Sequence, residues 1–273
     1  MHPKFNDVDE EEEEESFSYA MQLARSIALP LVLKTAIDLK VFDIIAKSGP
    51  DAKLSAVDIA AQITSKNPEA AAILLDRMLG LLATHSILHC SLVGDQQKFG
   101  FFQRHYSLKS LSKYFVDDDH GISLGNYAAL VHDKVFLDSW SRLKEAVVEG
   151  GIPFNRAHGC HAFEYPSLDA RFNEVFNTAM FNHTTIVMKK ILEIYNGFEN
   201  ISTLVDVGGG LGITLHLIIS KHQHIHGINF DLAHVIQHSP PYLGLEHVGG
   251  DMFESVPKGD AIFLKVGVLK LFI

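Results

Sequence analysis

The feature that most constrains the fold is a change of pattern at Ile201, where strand-like apolar runs begin to alternate with helical segments. The run "STLVDVGGGLG" enters a glycine cluster, and the helical "ITLHLIISKH" follows it. Further strand-like runs are "IHGINFD", "LEHVGGD" and "DAIFLK". Strands that alternate with helices form a parallel, doubly wound sheet. Residues 201–273 are therefore predicted to form an α/β domain in which Asp260–Lys265 is a buried strand.

The glycine cluster is the most informative motif. Three of its four glycines stand at positions 208, 210 and 212, which gives G-x-G-x-G. The dinucleotide fingerprint G-x-G-x-x-G would need a glycine at 213, where the chain has Ile213. The P-loop pattern G-x-x-x-x-G-K-[ST] is also absent. The loop therefore predicts a close approach of the backbone to a ligand, without a phosphate cradle.

Acidic residues end the next two predicted strands. Asp231 closes "GINFD" at about the distance expected of a carboxylate that binds a ribose diol. Asp251 closes "VGGD" and could accept from an adenine amine, with Met252 and Phe253 flanking the ring. Each acid alone is equally well explained as an ordinary turn residue. Together with the loop they describe a nucleoside site, and S-adenosylmethionine fits that description.

Residues 16–115 have a helical pattern followed by a predicted β-hairpin around "VGDQQ", which is the order of a winged-helix module. In "LSAVDIAAQI" we predict Ser55 as a helix N-cap with Asp58 at the capping-box position, and Asn67 caps the next helix. DNA binding is disfavoured, because the would-be recognition helix from Pro68 to Leu82 carries only Arg77 as a basic residue. The formal charge of −10 also argues against a nucleic-acid partner.

Residues 1–15 include the run "DVDEEEEEE", which we interpret as a solvated, disordered acidic tail. The N-terminus has no secretory signal pattern, and no apolar run approaches the roughly 18–20 residues of a membrane span. Cys90 and Cys160 cannot form a disulfide framework. These observations predict a cytoplasmic protein with no membrane partner.

Residues 116–200 form a second helical region that is rich in aromatic side chains. These side chains are core residues by default, but a pocket for a flat apolar ligand needs the same residue types. Composition does not separate the two interpretations.

The segments "LVDVGGGLG", "GINFDLAHVI" and "EHVGGDMFESVPKGDAIFLK" resemble the plant-type small-molecule O-methyltransferases, closest to the caffeic acid and related phenylpropanoid or flavonoid enzymes. The resemblance extends from Phe17 to Lys265 and includes "GGIPFNRAHGCHAFEY" and "DARFNEVFNTAM". It implies a winged-helix dimerisation domain at residues 16–115, a helical substrate-pocket region at 116–200 and a Rossmann-like methyltransferase domain at 201–273 that is incomplete. Cys160 and His161 depart from the family's usual pattern, as does "ALVHDKV".

The resemblance also implies roles for particular residues. The residues that would contact S-adenosylmethionine are Gly208, Asp231, Asp251, Met252 and Lys265. Those that would line the pocket for a phenolic acceptor are Phe163, Phe172, Phe176 and Met180. The implied assembly is a homodimer, or a heterodimer with full-length relatives.

The sequence lacks the general base that the resemblance would imply. In this family a histidine that follows the lysine matching Lys265 takes the phenolic proton, and here "VGVLKLFI" holds no histidine. His183, on the pocket-side helix, is an alternative base, although helix histidines are more often packed or exposed. We therefore expect an O-methyltransferase chain that is inactive or very weak, and the alternative is a non-catalytic dimerisation partner of a full-length enzyme. No metal is expected, because "KHQHIHG" lacks a carboxylate or thiolate to complete a site.

Overall fold

The computed structural model describes residues 10–94 and 102–265 and divides the chain into two compact units, with the boundary between Val116 and Asp117. Residues 1–9 of the predicted acidic tail, residues 95–101 of the predicted hairpin and the segment 266–273 fall outside the described residues. The first unit consists of α1 (Glu10–Ala24), α2 (Ala28–Asp38), α3 (Val41–Lys47), β1 (Leu54–Ser55), α4 (Ala56–Ala60), α5 (Pro68–Thr84), β2 (Leu88–Gly94), β3 (Phe102–Leu108) and a 3-10 turn (Ser112–Phe115).

Local sequence signals explain where these helices begin. The Ser55 hydroxyl accepts from the Asp58 N–H while the Asp58 carboxylate accepts from the Ser55 N–H, so the predicted capping box is confirmed. Asn67 caps α5 through the Ala70 N–H, and Pro68 occupies the first turn. The strands pair antiparallel in the order β1-β3-β2, which confirms the predicted winged-helix order of helices followed by a hairpin.

The acidic run differs from its prediction. Residues Glu10–Glu15 are the first turns of α1 rather than a disordered tail. Glutamate has a high helix propensity, and carboxylates in a first turn interact favourably with the helix dipole. No single helix within 10–94 and 102–265 is long and apolar enough to cross a membrane, and only the bent pair Glu11–Ala24 and Ala28–Asp38 passes that test of length and composition.

The second unit contains both the helical region and the sheet. Its elements are α6 (Gly125–Val131), α7 (Lys134–Ser141), α8 (Leu143–Glu149), α9 (Pro153–His158), a 3-10 turn (Tyr165–Ser167), α10 (Ala170–Ile194), β4 (Thr203–Val207), α11 (Ile213–Lys221), β5 (His226–Asp231), α12 (Ala233–Ile236), β6 (Leu245–Gly249) and β7 (Ala261–Phe263). The predicted regions 116–200 and 201–273 thus belong to one compact unit. Met188 of α10 shares a core cluster with Leu204 of β4 and Leu215 of α11.

The sheet has the order β6-β5-β4-β7 with every pair parallel, as the alternating pattern predicts. The prediction of a buried last strand is corrected. The strand is limited to Ala261–Phe263, and Ile262 and Leu264 are 61% and 58% exposed. Successive strand residues face opposite sides of a sheet, and the inward-facing Ala261 and Phe263 pack on the core while Ile262 does not.

Candidate functional site

The glycine loop joins β4 to α11 at the carboxyl edge of the sheet. Gly208, Gly210 and Gly212 have φ values of +72°, +58° and +86°, which side-chain-bearing residues rarely adopt. The Gly208 N–H donates to the Phe230 carbonyl oxygen at 2.8 Å and so fastens the loop to β5. A Cβ added to Gly208 or Gly210 would meet no atom within 4 Å. The backbone here is therefore open to a close-fitting ligand.

Asp231 ends β5 beside this loop. Its Oδ2 accepts from the Gly210 N–H at 2.8 Å, and its Oδ1 accepts from the Leu232 N–H at 2.7 Å. Two backbone donors fix the carboxylate, and each oxygen keeps a further lone pair. This geometry suits a carboxylate that accepts from two neighbouring hydroxyl groups.

The segment after β6 lies next to Asp231. The Gly250 N–H donates to the Asp231 carbonyl oxygen at 3.0 Å, which places Asp251 immediately beyond that strand end. The Asp251 carboxylate accepts from the Phe253 N–H at 2.9 Å. The side chains of Met252 and Phe253 are both exposed and project from the fold.

Lys265 follows β7 on the other side of β4. Its ammonium group donates to the hydroxyl of Thr184 on α10. Partial burial lowers the pKa of Lys265, and the nearby Asp206 carboxylate opposes that shift. The five residues predicted to hold the donor therefore lie at or just beyond the carboxyl ends of β4, β5, β6 and β7, along one edge of a single sheet. Their individual roles remain predictions.

Two buried residues that sequence reasoning missed lie beneath the loop. Asp206 and Asn229 are register partners on β4 and β5, and they are 2% and 0% exposed. Asp206 Oδ2 and Asn229 Oδ1 have no hydrogen-bond partner among the described residues. A Cβ added to Gly209 would lie 2.1 Å from the asparagine oxygen and 2.7 Å from the aspartate oxygen. We call these two oxygens the acceptor pair.

The orientation of the Asn229 amide is fixed by its other contacts. Its Nδ2 donates to the Gly210 carbonyl oxygen at 2.9 Å and lies 3.0 Å from His247 Nδ1. His247 Nε2 lies 2.9 Å from the Pro240 carbonyl oxygen, so the neutral tautomer with its proton on Nε2 satisfies both contacts. With both amide hydrogens directed to these acceptors, Oδ1 faces Asp206 and Gly209.

The electrostatics of Asp206 follow from this placement. Burial raises its pKa to about 7, the Asp231 carboxylate adds to the rise, and the Lys265 ammonium group opposes it. A charged residue inside the apolar run "LVDV" was the sequence signal that could have drawn attention to Asp206.

The residues predicted to line an acceptor pocket are gathered on the start of α10 and the segment before it. Phe172 is only 1% exposed and packs against Phe136 and Tyr165 as a core residue, and its pocket-lining role stays a prediction. Phe176 and Met180 are partly buried against the same cluster. Phe163 is 62% exposed, and its ring meets that of Phe176 edge-on with centroids 6.5 Å apart.

His183, the alternative base, lies on α10 next to Thr184. Its ring stacks on Tyr127 with centroids 4.7 Å apart. Partial burial lowers the pKa of His183, and the charge on Lys265 lowers it further. The ring is therefore mostly neutral at pH 7 and able to accept a proton.

The histidine-rich segment "KHQHIHG" forms no cation site in the described part of the chain, since no group of three His, Cys, Asp or Glu side chains there could hold a metal ion. The rings of His222 and His224 meet edge-on at 6.0 Å, and His226 Nε2 lies 3.5 Å from Glu246 Oε2.

Two family models and several known methyltransferases match most of this chain. The family model described as the O-methyltransferase domain matches residues 140–270, and the O-methyltransferase dimerisation domain matches residues 21–118. Catechol O-methyltransferase 1 of Solanum lycopersicum is 58% identical over 257 residues, which cover 94% of this chain and 68% of that protein. Caffeic acid 3-O-methyltransferase of Catharanthus roseus is 53% identical over a match that covers 95% of this chain and 70% of that protein. Anthranilate N-methyltransferase of Ruta graveolens is 56% identical over a match that covers 94% of this chain and 68% of that protein.

Solved structures agree on the fold. Human N-acetylserotonin methyltransferase in complex with S-adenosylmethionine superposes with a TM-score of 0.70 at 20% identity, over 96% of this chain and 72% of that one. The methyltransferase CalO1 of calicheamicin biosynthesis, in its S-adenosylhomocysteine-bound form, gives 0.72 at 20% identity, over 94% and 71%. The loop, the acids and Lys265 fit a methyl donor of this kind at the carboxyl edge of the sheet. The chain belongs to the S-adenosylmethionine-dependent O-methyltransferase family.

Proposed function

We propose that this chain binds S-adenosylmethionine at the carboxyl edge of its sheet and serves methyl transfer to a phenolic hydroxyl. The observation that carries the proposal is the hydrogen bond from the Gly210 N–H to Asp231, which joins an open glycine loop to a fixed carboxylate. The bound donor supplies a methyl group on a sulfonium, which a phenolic oxygen displaces.

Each donor residue has a role that its position supports. Asp231 accepts from the ribose hydroxyls, and Asp251 accepts from the adenine amine while Met252 covers one face of the ring. Gly208 leaves room for the backbone to approach the ligand, and Lys265 adds a hydrogen-bond donor at the far side of β4.

The acceptor we propose is a phenol, because catechol and caffeic acid, named in the relatives, are both phenols. The anthranilate enzyme names an aromatic amine instead, so anthranilate belongs among the test compounds. The aromatic side chains Phe163 and Phe176, with Met180 beside them, offer apolar surface to a flat ring.

Residues 266–273, where the family resemblance places the general base, contain no histidine. A positioned base typically contributes about 10²–10⁴-fold to such a reaction. We therefore expect this polypeptide to bind the donor and to methylate phenols weakly or not at all, with His183 as the alternative base.

Calorimetric titration with S-adenosylhomocysteine tests the donor site. We expect the wild-type chain to bind and Asp231→Ala to bind roughly tenfold or more weakly, since hydrogen bonds to a charged group contribute about 1.5–3 kcal/mol. Asp119→Ala, which removes an exposed carboxylate, is the control and should bind like the wild type. Equal affinities for Asp231→Ala and the wild type would contradict the proposed site. Methyl transfer to catechol, caffeic acid and anthranilate then ranks the acceptors.

A second candidate function is that of a non-catalytic dimerisation partner. It is supported by the dimerisation-domain match and by α1, whose apolar side chains Phe17, Tyr19 and Leu23 are all exposed. Mixing the chain with an active relative and measuring both the heterodimer fraction and the relative's rate would test it. A mixture without heterodimers would rule it out.

A further inference from the structure

The acceptor pair raises a problem of hydrogen bonding. Two buried oxygens on neighbouring strands face the same point beside Gly209, and no donor among the described residues reaches either of them. Two acceptors that face each other repel unless a hydrogen lies between them. Because Asn229 has both amide hydrogens engaged elsewhere, a protonated Asp206 is the member of the pair that can supply the hydrogen. A protonated Asp206 is therefore favoured when no cation is bound, because its hydrogen removes the repulsion between the two oxygens.

The methyl donor and its product differ in charge, and the carboxyl group of Asp206 responds to charge. S-adenosylmethionine and S-adenosylhomocysteine share the nucleoside and the amino-acid end. The product lacks one methyl group and the positive charge of the sulfonium. A carboxyl group beneath the binding loop interacts with that charge only when it is ionised, and a buried site strengthens the interaction.

Resting on the donor site proposed above, we propose that Asp206 is a specificity-determining residue that makes the site prefer the cationic methyl donor to its neutral product. Binding of the cation favours the carboxylate, and the proton leaves to the solvent. Binding of the product leaves Asp206 protonated and bonded to Asn229. The enzyme thereby favours its substrate over its product at neutral and alkaline pH.

In the described part of the chain, Asp231 on β5 and Lys265 after β7 act on Asp206 directly. His183 on α10 interacts with Lys265, and His247 on β6 contacts Asn229. Asp231 and Lys265 act in opposite directions on the pKa of Asp206. Burial and the charge on Lys265 lower the pKa of His183, so substitution of Asp206 is needed to separate its contribution from that of the histidines.

Titration calorimetry with both ligands at pH 6, 7 and 8, in two buffers of different ionisation enthalpy, measures affinity and proton release together. We expect the ratio of donor to product affinity to rise about fivefold from pH 6 to pH 8, as a cation that favours ionisation by one pKa unit would produce. Donor binding at pH 7 should release a fraction of a proton that product binding does not. In Asp206→Asn the ratio should lie below that of the wild type and stay constant with pH, while product affinity changes by less than about threefold. Asp119→Asn, which removes an exposed carboxylate, should behave like the wild type.

The outcomes are distinguishable. If both ligands bind the wild type with a ratio that is constant across pH and with equal proton release, the inference about Asp206 is wrong and the donor site stands. If neither ligand binds, the proposed function fails as well. A pH-dependent ratio that persists in Asp206→Asn would assign the effect to the histidines. Should that variant fail to fold, proton release measured in His183→Gln and His247→Gln decides the question, because release that is lost in either variant would overturn the assignment to Asp206.

Discussion

Replacing Asp206 by asparagine should stabilise the chain increasingly as pH rises. In the wild type, burial raises the pKa of Asp206 to about 7 from an ordinary value of 3.8. A carboxyl group whose pKa is raised in the folded state contributes stability below its unfolded pKa and loses it as pH rises toward its folded pKa. The loss therefore spans about pH 4 to 7. An asparagine has no such titration, and its amide can donate to Asn229 Oδ1 at every pH.

The magnitude follows from the size of the shift. One pKa unit corresponds to 1.36 kcal/mol, so a rise of about three units costs the wild type about 4 kcal/mol above pH 7. Part of that loss has already occurred at pH 5. Between pH 5 and pH 8 the advantage of Asp206→Asn should therefore grow by about 2.5 kcal/mol, which is a large share of a typical domain stability of about 5–15 kcal/mol.

Urea unfolding at pH 5, 6, 7 and 8, followed by circular dichroism, measures this advantage directly. Asp260→Asn is the matched control with the opposite sign. Hydrogen bonds from the Ser202 and Thr203 N–H groups lower the pKa of Asp260, so its loss should destabilise the chain above pH 4. A constant difference between Asp206→Asn and the wild type over this pH range would refute the reasoning, because it would mean that Asp206 titrates alike in the folded and unfolded chains.

Two further substitutions test the loop and the first unit. Gly209→Ala should lower the free energy of unfolding by about 1–3 kcal/mol and weaken S-adenosylhomocysteine binding, because the added Cβ would lie within 2.7 Å of both oxygens of the acceptor pair. Urea unfolding measures the stability and titration calorimetry measures the binding. Unchanged binding would contradict the expected displacement of the loop. Ser55→Ala should cost about 1 kcal/mol in urea unfolding, because it removes the hydroxyl cap of α4, and Ser55→Thr should recover most of that loss.

The donor site could be predicted largely from the sequence, because its parts are local. A glycine cluster after an apolar run indicates a strand-to-helix loop wherever it occurs, and parallel strands bring their carboxyl ends to one edge. The spacing from the loop to Asp231 and Asp251 therefore predicts that both acids lie beside it. The same locality explains the capping box of Ser55, which needs only two residues three positions apart.

The features that the sequence did not reveal depend on information that a linear pattern does not carry. Phe172 has the composition of a pocket residue and of a core residue alike, and only the packing of α10 against its neighbours decides between them. The acceptor pair depends on the register between β4 and β5, since a shift of one residue would move Asn229 to the opposite face. The acidic run of α1 was judged by its charge alone, although its helix propensity favours the opposite result.

Gly209 shows how the loop and the buried carboxyl group depend on each other. Its neighbours in the motif need glycine for their positive φ values, but Gly209 does not have one, so conformation does not explain it. What excludes a side chain there is contact with Asp206 and Asn229. One side of the Gly209 backbone lies directly on the acceptor pair, while the neighbouring Gly208 and Gly210 leave the loop open to a ligand. A residue that reshapes the loop at this point must therefore also change the surroundings of the Asp206 proton, so Gly209→Ala should alter the pH dependence of donor binding as well as its strength.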